Sequence, residues 1–319
     1  MSDTPDVVIR QAPALEASVE PLDLRTLFRA IGTGFVGERS LLTSPPERLP
    51  PEKPVDMLDE KRTKVKAKPL EVLGFVDGIQ AALTVAWRDH RPVFLTFIAA
   101  GCVGAKASGR GIELVSVHER LDMVASHLDA EWLATMPVPV STVLLDAVTP
   151  DDVERAALTR IGADRDLLER KLVTELSEGK AGVLVLDGSL AGRPVDNNLV
   201  GVVKTTRTKW LEDESVLWGL PQGWRSARFR IPAGTQGCSV DRYSCYVRLF
   251  DASHRGWAWG LVRLEAYDPE MLEPLAALAL AERQHPTSRD KRGDRHLASV
   301  RACEDVLRAR RPAIFSLRG

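Results

Sequence analysis

The sequence predicts an α/β fold with a mixed sheet, and three observations carry that prediction. Leu70 to Val76, Ala81 to Arg88 and Pro92 to Ala99 are successive β-like segments separated by short turns, which reads as an antiparallel meander. Asp151 to Leu176 is rich in Glu, Arg, Leu and Ala, with Leu167, Leu168, Leu172, Val173 and Leu176 on a helical period. Val183-Leu184-Val185-Leu186 is then a short, wholly apolar run, the signature of a strand covered on both faces. Meander, helix and buried strand in that order give a mixed sheet flanked by helices.

The elements follow in chain order. Residues 1–20 are polar and without pattern, and Leu22, Leu24, Leu27, Phe28 and Ile31 space out a short amphipathic helix. Pro45, Pro46, Pro50, Pro51 and Pro54 then prescribe an extended connector, because proline breaks helices and removes ladder donors. Residues 1–69 are therefore expected to be an N-terminal extension off the core sheet, with one domain over 70–319. Within the meander, Asp77-Gly78 and Asp89-His90-Arg91 are the expected turns. The near-continuous apolar run Val93 to Ala105 reads as a buried strand entering a glycine turn. Gly111 to Val117 and Val138 to Leu145 offer further strands. Pro150-Asp151-Asp152 is a helix start whose acids complement the dipole, and Gly179 and Gly182 close that helix. Strands at Leu199 to Lys204, Tyr243 to Phe250 and Trp259 to Ala266 precede a helix at Pro269 to Gln284. A basic helix from about His296 to Arg310 ends the pattern.

Bulk composition narrows the function classes. With 319 residues, 44% hydrophobic and 27% charged, the chain has the make-up of a soluble globular protein that needs no disulfide or metal staple. The apolar run at Val93 falls short of the ~20 residues that span a bilayer. MSDTPDVVIRQ lacks the basic-then-apolar layout of a signal peptide, so no membrane is expected and nothing directs the chain out of the cytoplasm. Cys102, Cys238, Cys245 and Cys303 form no CxxC pair, which argues for idle thiols over a zinc site. No GxxxxGK[ST] loop, GxSxG elbow or HExxH occurs. Net charge is -1, so any polyanion must be met by local patches. Lys61 to Lys68 holds five cations and no acid. Arg283 to Arg311 holds a second excess, including Arg289, Lys291, Arg292 and Arg295 as candidate DNA-binding residues. For either patch alone, a solvated helix face or a flexible basic tether is the favoured reading.

Two short motifs carry the chemistry. Val76-Asp77-Gly78 and Leu186-Asp187-Gly188-Ser189-Leu190 each set an Asp before a Gly after an apolar strand. Carboxylates at the ends of neighbouring strands can hold a divalent cation, and a third acid lets them hold two. An Asp-Gly turn of no function is the competing reading for each. Lys204 ends an apolar strand and is placed to neutralise a phosphate, or is an ordinary strand-end lysine. His296, among Arg289, Lys291, Arg292 and Arg295, is placed to orient water or protonate a leaving oxygen, or is a helix-start histidine with no such task. Trp210, Trp218 and Trp224 lie among Arg207, Lys209, Arg225, Arg228 and Arg230, a pattern suited to stacking on single-stranded DNA but more often met in a core.

These motifs resemble those of NurA-type nucleases over roughly Leu70 to the C-terminus. Asp77-Gly78 is similar to the first motif, VLVLDGSL at Val183 to Leu190 to the second, and Gly201-Val202-Val203-Lys204 to the short strand that follows it. In such nucleases the helix before the second motif supplies an acid, a role that Glu169 matches. The resemblance implies an RNase H-like core and DNA hydrolysis with Mn2+ or Mg2+. Asp77, Glu169 and Asp187 would be the metal ligands, with Lys204 and His296 assisting. It implies a homodimer docked on a HerA-type hexameric ATPase, in DNA repair or defence against phage. The chain departs from the pattern at Ile79, where the family has Ser, and at His285-Pro286, where it has Tyr-Pro. A catalytically reduced subunit that binds DNA or the ATPase is therefore one rival, and another RNase H-like enzyme such as a transposase is the second.

Overall fold

The computed structural model describes residues 50–106, 111–135, 141–178, 182–204, 208–253, 255–284 and 293–316. The strands are β1 (Asp56–Met57), β2 (Thr63–Lys64), β3 (Val72–Arg88), β4 (Arg91–Ala105), β5 (Ile112–Ser126), β6 (Ser141–Leu145), β7 (Val183–Asp187), β8 (Leu199–Val203), β9 (Trp224–Arg225), β10 (Phe229–Ile231), β11 (Arg242–Arg248) and β12 (Leu261–Ala266). The helices are α1 (Ala130–Ala134), α2 (Pro150–Ser177), α3 (Ser215–Trp218), α4 (Leu272–Glu282) and α5 (Ala298–Arg310).

One mixed sheet holds these strands in the spatial order β1-β10-β11-β12-β8-β7-β3-β4-β5-β6, with β9 bridging β11 and β2. At its centre, β5-β4-β3 is the antiparallel meander, and β7 and β8 continue it in parallel register. That mixed centre flanked by helices is the α/β arrangement expected. The type of connection follows from chain length. Asp89 and His90 both take positive φ in the tight β3–β4 turn, whereas the parallel β7 is reached only through the long α2 crossover.

Alternation along β3, β7 and β8 sorts side chains to two faces. Phe75, Ile79, Val183, Val185, Val200 and Val202 share one core with Leu272, Leu275, Val300, Cys303 and Leu307 of α4 and α5. Val76, Leu184, Leu186 and Leu199 pack on the other side against Leu172, Val173 and Leu176 of α2. Thr149 caps α2 by accepting from the Asp152 amide, with Pro150 in the first turn, so the helix start read from Pro150-Asp151-Asp152 is borne out.

Three expectations need correction. Asp77-Gly78 is no turn: β3 runs through it without a break, because Asp77 and Gly78 pair with Gly101 and Ala100 of β4 in continuous register. The run at Val93 likewise passes through Gly101 and Gly104 as one strand. Gly101 leaves room there for the Leu307 side chain of α5 and makes no turn. The segment before Leu70 was expected to stay off the sheet, yet β1 pairs with β10 and β2 with β9. Its prolines flank these two-residue edge strands and so do not interrupt their ladders. The amphipathic stretch at Leu22 to Ile31 lies outside the described residues.

Candidate active site

β7 pairs with β3 from Val72↔Val183 to Val76↔Leu186, and there it ends. The next residues along each strand are Asp77 and Asp187. Beyond them β3 continues with β4 on one side only, leaving a notch in the sheet. By alternation both acids face the α4–α5 side, in step with Phe75 and Val185. The notch therefore brings the two Asp-Gly motifs together as register neighbours, although only the second ends a strand. Gly188, at φ 140°, turns the chain away from β7, and its carbonyl lies where a Cβ on Gly201 would stand. Glycine at both positions is what lets the chain fold back this closely.

Lys204 leaves the end of β8 on the same face. Its Nζ lies 2.8 Å from Asp187 Oδ2 and 3.2 Å from His296 Nδ1. An ammonium only donates, so His296 Nδ1 accepts, and the neutral ring carries its proton on Nε2. Lys204 and His296 are both buried. Arg295, next to His296, donates from Nη1 to the Lys204 carbonyl at 2.9 Å and pairs with Asp294 at 3.4 Å. Of the four basic residues expected to track DNA, Arg295 is thus tied into the site's frame. Arg289, Lys291 and Arg292 lie outside the described residues, as do His285-Pro286.

Glu169 approaches from the opposite face of the sheet, on α2. It is buried, and its carboxylate rests where a Cβ on Gly78 would stand. Arg193 donates to its Oε2, and Arg165 lies 3.4 Å from its Oε1. Burial raises the Glu169 pKa, and the two guanidiniums oppose that rise. Asp77 is held well above the ordinary carboxylate range, first by burial, then by the Asp187 charge, with Lys204 and the Gly78 amide opposing. The Gly78 amide donates to Asp77 Oδ1 at 2.8 Å.

These are hard oxygen donors, the set that Mg2+ or Mn2+ takes. The unfavourable neighbourhood of Asp77 beside Asp187 is one that a cation between them would relieve. Asp77 and Asp187 therefore fit such an ion. Glu169 does so only after leaving its arginines, and among the described residues no group of three or more His, Cys, Asp or Glu is arranged around a metal position.

Ser189, which follows the second Asp-Gly, has a structural task. Its Oγ donates to Glu265 Oε2 at 2.8 Å and accepts from Arg242 at 3.0 Å. Glu265 also receives the Leu190 amide at 2.7 Å and ion pairs from Arg242 and Arg263, all buried. This network anchors the loop after Asp187, and sequence reasoning missed it because its members are far apart in the chain. Trp210 is buried in the core and stacks under Arg263, Trp224 is half-buried, and Trp218 is exposed. His118 pairs with Glu175 at 2.8 Å and His127 faces the Leu145 carbonyl at 3.2 Å; neither reaches the notch. All four cysteines are buried and free of disulfides.

The comparisons add a distant likeness. Among solved structures, the chain is similar to the NurA nuclease from Sulfolobus solfataricus, with a TM-score of 0.42 and 13% identity over 70% of this chain and 77% of that one. No protein-family model matches the chain, and no curated protein matches it. Among the described residues no helix is long and apolar enough to cross a membrane.

Proposed function

We propose that this chain is a divalent-metal-dependent nuclease that hydrolyses DNA phosphodiesters. The observation that carries the proposal is the pair Asp77 and Asp187, side by side on one face where β7 stops, with Lys204 and His296 beside them. Asp77 and Asp187 would hold the ion, and Glu169 would complete the set from across the notch. Bound there, Mn2+ or Mg2+ would supply an activated water and charge stabilisation at the leaving oxygen. Lys204 sets a positive charge where a phosphate enters, and His296 holds the Lys204 ammonium in place through Nδ1. DNA as substrate, a homodimer and a HerA-type hexameric ATPase as partner rest on the motif resemblance. They belong to the same proposal, as does a role in end processing or anti-phage defence.

One observation favours the rival of a catalytically reduced subunit. Glu169 is already neutralised by Arg193 and Arg165, so a third ligand is available only if these pairs open. Linear DNA incubated with the chain, Mn2+ and a HerA-type ATPase separates the two readings. Metal-dependent degradation that Asp187→Asn abolishes supports the nuclease, and binding without cleavage under all these conditions supports the rival.

A further inference from the structure

A large groove lies away from the notch, and it pairs an apolar, aromatic floor with a cationic rim. Its volume is about 1110 Å3, and its lining includes Pro54, Val55, Arg62, Lys209, Trp210 and Trp224. Such a volume exceeds the ~300–1,000 Å3 of ordinary small-molecule pockets, which suits an extended chain. Lys61, Arg62 and Lys209 in the lining are balanced by Glu60, Glu212 and Asp213, so the groove itself is close to neutral.

The rim is different. Lys61, Arg62, Lys64, Lys66 and Lys68 are all exposed, with no acid between them. Pairing of β2 with β9 sets Lys64 opposite Trp224, and the Arg62 guanidinium lies over the Trp224 ring at 5.9 Å. Arg62 and Lys64 therefore stand on the same wall as the half-buried tryptophan, and Lys66 and Lys68 follow them along the chain. A neutral aromatic groove beside a ridge of exposed cations, with Glu273 held at the Lys66 backbone amide, is complementary to a polymer with flat apolar bases and a regularly charged backbone.

The groove also adjoins the notch along the chain. Lys209 follows Lys204 by five positions. At ~3.3–3.6 Å per residue, their Cα atoms are at most about 18 Å apart. That span corresponds to about five stacked nucleotides at 3.4 Å each.

We infer that this groove and its lysine ridge form a track for single-stranded nucleic acid, with bases in the groove and phosphates on Lys64, Lys66 and Lys68. The inference deepens the nuclease reading by giving its site a single-stranded substrate. The test is equilibrium binding of a fluorescent 20-nucleotide oligothymidylate to the full chain in EDTA, across a salt series. Lys64→Glu, Lys66→Glu and Lys68→Glu are combined in one variant, all at exposed positions outside the core. The triple variant should bind at least tenfold more weakly, and its log–log salt slope should fall by about 2, at ~0.7 per lost phosphate contact on a single strand. An abasic oligomer of equal length should bind the wild type more weakly than oligothymidylate. Unchanged affinity in the triple variant overturns the track. Equal binding of the abasic oligomer, or equal competition by polyglutamate, also overturns it, because only charge would then be read. A chain that binds through the ridge but never cleaves with Mn2+ and a HerA-type ATPase both present overturns the nuclease reading and leaves the track standing. A chain that cleaves but ignores the triple substitution does the reverse.

Discussion

Glu169 and Gly78 face each other across the edge of the sheet so closely that a methyl group on residue 78 would overlap the Glu169 carboxylate. Gly78 has extended backbone within β3, so space and not φ is what demands glycine there. Gly78→Ala should therefore push Glu169 off Arg193 and Arg165, weakening both the fold and any Mn2+-dependent cleavage. Removing the obstructing carboxylate should remove the stability penalty. The double variant Gly78→Ala/Glu169→Ala is expected to unfold at the same denaturant concentration as Glu169→Ala alone, a coupling that a double-mutant cycle reads directly. Additive losses would show that Gly78 acts by another route.

The buried Glu265 should set an acid limit to stability. Burial pushes its carboxyl up, but Arg263, Arg242 and the Leu190 amide together hold it below the usual range. A carboxylate with a lowered folded pKa contributes stability above its unfolded value of ~4.3, and loses that contribution as pH falls through the folded value. Glu265→Gln should cost roughly 3–5 kcal/mol at pH 7, because two buried arginines lose their counter-charge. Urea midpoints from pH 7 down to pH 3 should fall less steeply for the variant than for wild type. Parallel curves would remove Glu265 from the acid transition.

Asp59 makes the segment before Leu70 part of the fold. It accepts from Arg225 at 2.9 Å and from the Arg228 side chain at 3.0 and 3.1 Å, and its pKa is lowered because these pairs outweigh partial burial. A chain begun after Asp59 should thus be less stable than one begun at Pro50, by roughly 2–3 kcal/mol for a partly exposed pair. Asp59→Ala in the longer chain should reproduce most of that difference in urea unfolding. Equal midpoints for the two truncations would return the segment to the role of a loose tether.

What the sequence made legible follows from how local each signal was. Val183 to Leu186 declares itself because a strand buried on both faces must be apolar throughout. The Lys204 carbon skeleton extends such a strand, so its place beside Asp187 is readable from β8 alone. Val76-Asp77-Gly78-Ile79 misleads because Asp-Gly is a turn signal in isolation, and only the β4 partner keeps the chain extended. Glu265, Arg242 and Ser189 could not be grouped from spacing, since Ser189 and Glu265 are 76 positions apart. His296 and Lys204 are 92 positions apart, and the resemblance, not any period, brought them together before the fold did.

The two aspartates should respond in opposite ways to the same isosteric change. Asp77 is buried beside another acid and, among the described residues, has no ion pair of its own, so its ionised form is held at a cost. Asp77→Asn keeps the shape, lets the amide oxygen still accept from the Gly78 amide, and removes one of two facing charges. Its apo form should melt at an equal or higher temperature than wild type. Asp187, in contrast, neutralises the buried Lys204 ammonium at 2.8 Å. Asp187→Asn removes the repulsion too, but it takes the directly paired carboxylate from that ammonium and leaves it His296 and the Asp77 charge. Stranding a buried charge generally costs more than relief of a single repulsion returns, so this apo form should melt lower. Both variants should lose the rise in melting temperature that Mn2+ gives the wild type, because linkage requires an ion bound to the native state. Asp146→Asn, at a fully exposed position after β6, should keep that rise. If Mn2+ raises the melting temperature of all three variants as it does the wild type, the notch is not where the ion sits. If Asp77→Asn melts well below Asp187→Asn, the charge relationship drawn from Lys204 is the part that fails.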